Sequence, residues 1–525
     1  MSFSSEVVGA ILSGRVTTRD ALQRLKAELC VKYSLSRMPS NPEILAEVPI
    51  DLRSGVEPVL RLKPVRSLSG VAVVAVMTSP ASCPHGRCMY CPGGPEAGTA
   101  QSYTGQEPAA RRAAANSFDP YLQVRSRIEQ LRQTGHPVTK IDLIVMGGTF
   151  PAREKQYQES FILNCFNAMN GVDSSSIDDA HLINESARSR CIGLTIETRP
   201  DQFDQEQIDF LMKLGMTRVE LGVQTVFEEC MARLERGHTV EDSIEATMRA
   251  KRSGLKVCYH LMPGLPGSNM ILDLEMFRTI FNDPRFKPDM LKIYPTLVIK
   301  GTKLHDMWRS GEYGPPDTEY VVALMTEVKK LIPEWIRIQR VQRDIPLPLI
   351  EAGARKSNAR QLIASRLAEQ GISCRCIRCR EVGHLHPEEP PREAELREIE
   401  YLASGGKEHF IELFDPSNDA LIGFARLRFD ERECDLFASL RELRVYGQQV
   451  PIDEHLPNGH QHRGYGRQLL ERCEQLSAET GASVLRITSG VGARRYFQRF
   501  GFELCGYYLS KKPLPDRTPK SVNFL

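Results

Sequence analysis

Val71-Ala-Val-Val-Ala-Val-Met-Thr78 is followed, five residues on, by Cys83-Pro-His-Gly-Arg-Cys88-Met-Tyr-Cys91-Pro-Gly-Gly-Pro95. The first stretch is short, β-branched and almost wholly apolar, the pattern of a strand buried on both faces in a parallel sheet. The second puts three thiols in the loop leaving that strand. Three sulfurs can hold three irons of a cubane cluster and leave the fourth open to a reactant, whereas a closed zinc or electron-transfer site takes four ligands. The competing readings are a zinc knuckle completed by His85, or thiols without metal.

Working outward, the same strand signature recurs at Ile141–Met146, Ile192–Thr198, Arg218–Val223, Lys256–Leu261 and Leu291–Leu297, each run followed by a stretch long enough for a helix. Repeated βα units predict a closed or partly closed α/β barrel over residues 71–365, with its chemistry at the C-terminal strand ends. Those ends carry Gly147-Gly148-Thr149, Glu197-Thr198-Arg199, Gln224 and Pro263-Gly264. Residues 1–70 read as a basic helical arm, with Arg15, Arg19, Arg24, Lys26, Lys32 and Arg37 against Glu6, Asp20 and Glu28. Residues 366–396 form a connector, because Pro387-Glu-Glu-Pro-Pro391 breaks regular structure. A smaller α/β unit spans 397–525, with strand-like runs at 411–414, 421–427, 438–445 and 484–488 and a long helical run from Gly466.

The whole chain has 525 residues, 41% hydrophobic and 26% charged, with 68 Lys and Arg against 66 Asp and Glu for a net +2. That composition excludes wholesale disorder and a disulfide-dense secreted fold, and gives no global charge argument for nucleic acid. The longest apolar run, Val71–Met77, falls well short of the roughly 18 residues a membrane helix needs. The N-terminus carries no basic cluster ahead of an apolar segment, so an intracellular, cytoplasmic protein is expected. In a reducing compartment, clustered members of the 14 cysteines suggest metal rather than disulfides.

A three-cysteine loop after the first strand of a βα barrel resembles the radical S-adenosylmethionine (SAM) superfamily. The stretches Cys83–Pro95, Gln101-Ser-Tyr-Thr-Gly105, Met146-Gly-Gly-Thr-Phe150, Gly193–Pro200, Leu291–Leu297 and Arg340–Pro346 are similar, more closely, to the family of Elongator catalytic subunits. The four residues between Cys83 and Cys88 depart from the three found in most of the superfamily. The resemblance implies a 4Fe-4S cluster on Cys83, Cys88 and Cys91, and SAM held by Gly147, Gly148, Thr149, Glu197, Arg199 and Gln224. Lys292, inside a strand, is a further candidate there and would need an anionic partner. Lys140 matches a lysine the family uses in handling acetyl-CoA.

Cys374-Arg-Cys376-Ile-Arg-Cys379 offers three soft ligands within six residues, and His384 or His386 could complete a structural zinc site in the connector; a ligand from elsewhere and unligated thiols stay open. Arg463-Gly464-Tyr465-Gly466 ahead of a helix resembles the coenzyme A motif of GNAT acetyltransferases, where free N–H groups cradle a pyrophosphate. That resemblance implies an acetyl-CoA site formed with Lys140, Glu442, Leu443, Arg444 and Val445. Tyr496 would place its hydroxyl near the thioester; a second tyrosine common in that family is Phe497 here.

Together the resemblances imply that a 5′-deoxyadenosyl radical activates the acetyl methyl of acetyl-CoA for addition to C5 of the wobble uridine of tRNA, giving 5-carboxymethyluridine. Arg24, Lys26, Arg111, Arg112, Arg340 and Arg343 would meet the anticodon stem-loop, whose unstacked bases can be flipped at low cost. An external electron donor is required, and a homodimer or Elongator-like partner subunits are compatible with the sequence. The alternatives are a protein lysine acetyltransferase with a structural iron-sulfur barrel, and a tRNA-binding scaffold without chemistry.

Overall fold

The computed structural model describes residues 2–62, 68–385, 393–432, 435–447, 449–450, 461 and 463–513. His386 and the run Pro387–Pro391 lie outside them.

Strands β1 (Ala72–Met77), β2 (Lys140–Met146), β3 (Arg190–Thr198), β4 (Arg218–Gln224), β5 (Lys256–Leu261), β6 (Met290–Ile293) and β8 (Arg337–Arg340) form one parallel sheet in sequential order. β1 and β8 are its two ends and do not pair, so the sheet is a half-barrel. The short strands β7 (Val298–Ile299) and β9 (Ile350–Ala352) pair separately. The expected sixth run stops early, at Ile293, ahead of Pro295, which has no N–H to give a ladder. β8 went unread because Arg337-Ile-Gln-Arg340 has no apolar run.

The strands were read as apolar on both faces, and here the structure differs. Leu143, Val145, Leu194, Ile196, Val219 and Leu221 pack outward in the main core beneath the helices. The intervening positions Asp142, Thr195, Glu197, Arg218, Glu220 and Lys292 are buried as well. A period-2 alternation with both sets buried produces a sheet whose outer face is oily and whose inner face is charged. The helices start where the chain supplies caps: Asp119 accepts from the Leu122 N–H, Asn269 from Ile271 and Leu272, and Thr239 forms a capping box with Asp242.

Residues before β1 form four helices (Phe3–Leu12, Arg19–Lys32, Asn41–Glu47, Arg53–Leu60) around their own core of Val7, Leu22, Ile44, Val56 and Leu60. The second large sheet comprises β10 (Glu395–Ala403), β11 (Gly406–Asp415), β12 (Ala420–Arg432), β13 (Asp435–Val445), β14 (Val484–Ile487), β16 (Tyr508–Lys511) and β15 (Glu503–Cys505), in that spatial order. β13 and β14 pair in parallel and every other neighbour is antiparallel. The helix Tyr465–Glu479 packs on β12 and β13. Among the described residues no helix is long and apolar enough to cross a membrane.

The two sheets are joined by buried charge. Arg426 and Arg441 reach from β12 and β13 to Asp289 just before β6, while Lys251 reaches Asp289 at 3.6 Å and Glu408 at 3.3 Å. The turn at Gly490–Gly492 lies against the β3 backbone, so that a Cβ on Gly490 would sit 2.2 Å from Ile192 C.

Candidate functional site

The loop after β1 folds over the C-terminal strand ends and, with them, encloses a cavity of about 550 Å³ lined by Cys83, Cys88 and Cys91. Gly93 makes the turn possible: its φ is +63°, and a Cβ there would fall 2.0 Å from the Tyr103 carbonyl oxygen. Each sulfur has a polar neighbour. Cys83 Sγ lies 3.6 Å from Thr149 Oγ1, Cys88 Sγ 3.0 Å from His85 Nε2 and 3.5 Å from Arg236 Nη1, and Cys91 Sγ 3.0 Å from Ser102 Oγ and 3.3 Å from Gln101 Nε2. Burial pushes the Cys83 thiol up, a cost that ligation to a cation removes. Three convergent soft donors with surrounding N–H and O–H groups fit a cluster that leaves one metal open. His85 turns toward Cys88 and is lowered to about 4 by burial and by Arg199 and Arg236, so it stays neutral.

Of the residues expected around SAM, Gly148, Thr149, Glu197, Arg199 and Gln224 line this cavity. Gly147 (φ +125°) sits behind it, where a Cβ would meet Thr78 Oγ1 at 2.2 Å. Glu197 accepts a hydrogen bond from the Tyr103 hydroxyl at 3.0 Å. Arg199 is spent on the loop itself, with Nε and Nη2 on Asp201 at 2.8 and 2.9 Å and Nη1 on the Arg236 carbonyl at 2.7 Å. Gln224 has φ +68°, a left-handed conformation costly for a non-glycine residue and found where a site demands it. Lys292 does not line the cavity: its ammonium is bound to Glu220 and stands 3.8 Å from Glu197. Burial alone would raise the Glu220 carboxyl, but Lys292 and His260 (Nε2 to Oε2, 2.8 Å) hold it below its usual range. The anionic partner that the sequence demanded for Lys292 is thus supplied from β4.

At the opposite, N-terminal end of the same sheet is a second cavity of about 180 Å³, between the half-barrel and β13. It brings together Lys140, Glu442, Leu443, Arg444 and Val445 from the expected acetyl-CoA set. Lys140 donates to Gln461 Oε1 at 2.9 Å, and burial lowers its pKa to about 8. Gly464 (φ +85°) caps the 15-residue helix Tyr465–Glu479 with no side-chain bond, which leaves N–H groups of its first turn to other acceptors. Arg463 and Tyr465 flank that cap. Gly466 is required by packing: a Cβ would lie 2.7 Å from the Tyr496 hydroxyl. An uncapped helix N-terminus is the kind of end that receives a pyrophosphate, and Lys140 stands on the same Gln461 that precedes it in the chain.

In the connector, the Sγ atoms of Cys374, Cys376 and Cys379 all lie within 4.8 Å of one another. His384 is not part of that group; its Nε2 faces Glu381 at 3.1 Å, a carboxylate that also takes Arg337. Instead the Lys329 ammonium stands 3.2 Å from both Cys374 and Cys379.

The residues expected to meet RNA divide. Arg112, Arg340 and Arg343 line the cysteine-bearing cavity, Arg343 donating to the Ser102 carbonyl at 2.6 Å, while Arg24 and Arg111 are exposed. Lys26 is a correction: it is 3% exposed, with Nζ on Asn41 Oδ1 at 2.9 Å, because it packs between the second and third helices. The arm is also less basic than its composition, since Lys32 and Arg37 pair with Glu6 and Glu43 at 2.6 Å. Arg236 was missed altogether. It ties Cys88, Tyr90 (Oη 3.1 Å) and the Gly222 carbonyl (2.9 Å) together, and the only local signal was a polar Arg236-Gly-His238 loop after β4.

Profiles of four families match the chain: the ELP3 N-terminal domain at residues 1–68, the Radical SAM superfamily at 78–278, the Radical_SAM C-terminal domain at 288–369 and the acetyltransferase (GNAT) family at 375–502. A tRNA uridine(34) acetyltransferase of Methanocaldococcus jannaschii is 48% identical over 514 residues, covering 95% of each chain. Elongator complex protein 3 of Homo sapiens is 43% identical over 507 residues, covering 93% of each. The solved structure of Methanocaldococcus infernus Elp3 lacking its N-terminus superimposes with a TM-score of 0.75 at 43% identity, covering 85% of this chain and 100% of that one. With the cysteine-lined half-barrel and the second, mixed sheet carried on one chain, this protein belongs to the Elp3 family of radical SAM and GNAT enzymes.

Proposed function

We propose that this chain converts the wobble uridine of tRNA to 5-carboxymethyluridine, drawing the two-carbon unit from acetyl-CoA. The observation that carries the reading is the pairing, on one sheet, of a cavity lined by three convergent cysteines with a second pocket that gathers Lys140, Glu442 and Arg444. The similar archaeal proteins are named for action on uridine 34 of tRNA, which supports the same substrate here.

Cys83, Cys88 and Cys91 would hold the 4Fe-4S cluster, and Gly148, Thr149, Glu197 and Gln224 would face bound SAM. Together these cofactors supply a 5′-deoxyadenosyl radical able to take a hydrogen atom from a methyl group. Arg236 and Gln101 hold the cysteine loop in register, and the Tyr103–Glu197 bond fixes a carboxylate at the cavity wall. Lys140, as a cation, would pair with an anionic or carbonyl group of acetyl-CoA, and Tyr496 would place its hydroxyl beside the helix N-terminus. Arg112, Arg340 and Arg343 at the cavity mouth would meet the phosphates next to a flipped base, while Arg24 and Arg111 would track the stem. Partner subunits and an electron donor complete the reaction in this reading.

Cys374, Cys376 and Cys379 would hold a structural zinc. Three thiolates and Zn²⁺ sum to one negative charge, and Lys329 balances it.

The test is anaerobic reconstitution with iron and sulfide, then incubation with unmodified tRNA, acetyl-CoA, SAM and a reductant. Formation of 5-carboxymethyluridine together with 5′-deoxyadenosine, both lost in Cys88→Ala, is expected. An intact cluster, bound acetyl-CoA and unaltered tRNA would overturn the reading. Acetylated lysine in an added protein, retained in Cys88→Ala, would establish the protein acetyltransferase instead.

A further inference from the structure

The two cavities open at opposite ends of the half-barrel, yet strand register makes their linings neighbours inside it. Val73, which lines the cysteine-bearing cavity, is paired with Asp142, which lines the thioester pocket, and Asp142 is paired in turn with Gly193. One row higher, Thr195 is paired with Arg218 and Arg218 with Lys256. Glu220, two residues beyond Arg218, again lines the upper cavity. In this interior β1 and β3 carry small side chains (Val73, Ala75, Gly193, Thr195), while β2, β4 and β5 carry Asp142, Arg218 and Lys256. The glycine matters, because a Cβ on Gly193 would come within 3.3 Å of Asp142 Oδ1.

The ion pair between Arg218 and Asp142 lines the lower pocket on the side of Val73 and Glu220, which line the upper cavity. It is loose, with Nη2 3.4 Å from Oδ1 and 3.3 Å from Oδ2. Around it, Arg218 Nε and Glu220 Oε1 stand 3.8 Å apart, too far for a hydrogen bond, and the buried Thr195 Oγ1 has no hydrogen-bond partner among the described residues. The Arg218 N–H and the Thr195 hydroxyl at this constriction can each donate to the oxygen of a carbonyl group passing through it. From Arg218 the charged file continues through Glu220, Lys292 and Glu197 to Tyr103, which lies in the chain after the cysteine loop.

We propose that the half-barrel interior is the passage by which the acetyl end of the thioester reaches the cysteine-lined cavity, with the Asp142–Arg218 pair as its gate and Arg218 as the group that receives the acetyl oxygen. The proposal rests on the function proposed above. No bond is made or broken at the gate; Arg218 exchanges Asp142 for the incoming oxygen and returns to it afterwards.

The test narrows the passage at the row where the linings of the two cavities adjoin. Val73 is 41% exposed, so Val73→Trp adds bulk to the shared row without breaking a packed core. Carboxymethylated uridine should fall at least about tenfold, and by more than acetyl-CoA affinity by calorimetry or 5′-deoxyadenosine formation falls. Product retained within about twofold in the folded variant overturns the passage. Gly193→Val narrows the same row from β3 and takes its place, by the same criteria, if Val73→Trp fails to fold by circular dichroism. Asp142→Asn loosens the gate, and release of free CoA from acetyl-CoA without tRNA should rise about threefold or more; an unchanged rate argues against the gate. A parent enzyme that binds acetyl-CoA and cleaves SAM but leaves tRNA unaltered defeats the proposed function itself, before any variant is made.

Discussion

Arg441 of β13 donates both terminal nitrogens to Asp289, at 2.6 Å to Oδ1 and 2.8 Å to Oδ2, and neither side chain is exposed to solvent. The pair joins the two sheets. Lys251, Glu408 and Arg426 surround it, so every charge there is answered by another. Removing one member strands its partners in a dry interior. Asp289→Asn should therefore cost about 3–5 kcal/mol in denaturant unfolding, whereas an exposed pair such as Arg278–Glu275 should cost under about 1 kcal/mol.

The same cluster sets an acid limit. Burial would raise Glu408, but Arg441, Lys251 and Arg428 hold it at about 2 against an ordinary 4.5. A carboxyl depressed on folding contributes stability that is present above its unfolded pKa and lost as pH falls through the folded one. Stability should decline from about pH 4.5 down toward 2, and Glu408→Gln should flatten that part of the profile followed by thermal unfolding.

Lys140 sets a limit on the alkaline side, for binding. At about 8 its ammonium is about nine-tenths charged at neutral pH and half discharged one unit above. Acetyl-CoA affinity should weaken as pH rises through 8, by up to about tenfold per unit, and Lys140→Met should bind weakly with no such slope. Calorimetry from pH 6.5 to 9 reads both.

Arg236 holds the cysteine loop through a fork that only guanidinium supplies, reaching Cys88, Tyr90 and the Gly222 carbonyl at once. Arg236→Gln should lower iron content after reconstitution and 5′-deoxyadenosine formation by about tenfold or more. Arg236→Lys should recover only part, because a single ammonium cannot span the three acceptors.

Metal analysis of the purified chain should find one zinc per molecule besides iron. Cys376→Ser should release it and lower the melting temperature, since the cysteines lie beside Lys329 and the short helices under β12.

What the sequence made legible follows the distance over which each feature is built. The Cys83–Cys91 loop and the Gly464–Gly466 turn were readable because their chemistry lies within a few consecutive residues. Arg236 was not, because its meaning comes from Cys88, 148 positions away. Lys292 stood halfway: its burial in a strand demanded an anion, but only the fold could name Glu220, 72 positions away. β8 looked too polar to be a strand because Arg337 serves the second sheet, donating to the Tyr446 hydroxyl at 2.9 Å. β10 was missed for a different reason: Glu395-Leu-Arg-Glu-Ile-Glu-Tyr401 is an edge strand with a wetted face, whose charges mask its alternation.

The glycines at 490 and 492, pressed against Ile192 and Arg190, make the two catalysts of this chain poor candidates for separate lives. A gene split near residue 395 would free a fragment with Arg426 and Arg441 torn from Asp289, and two bare backbone positions where a neighbour had been. Such a fragment would clump or adhere to acidic surfaces, and any amine acetylation it performed would report on that damage. The heredity of the pair is therefore joint: mutations on one side of the seam are judged by selection together with their counterparts on the other, and activity belongs to the undivided chain.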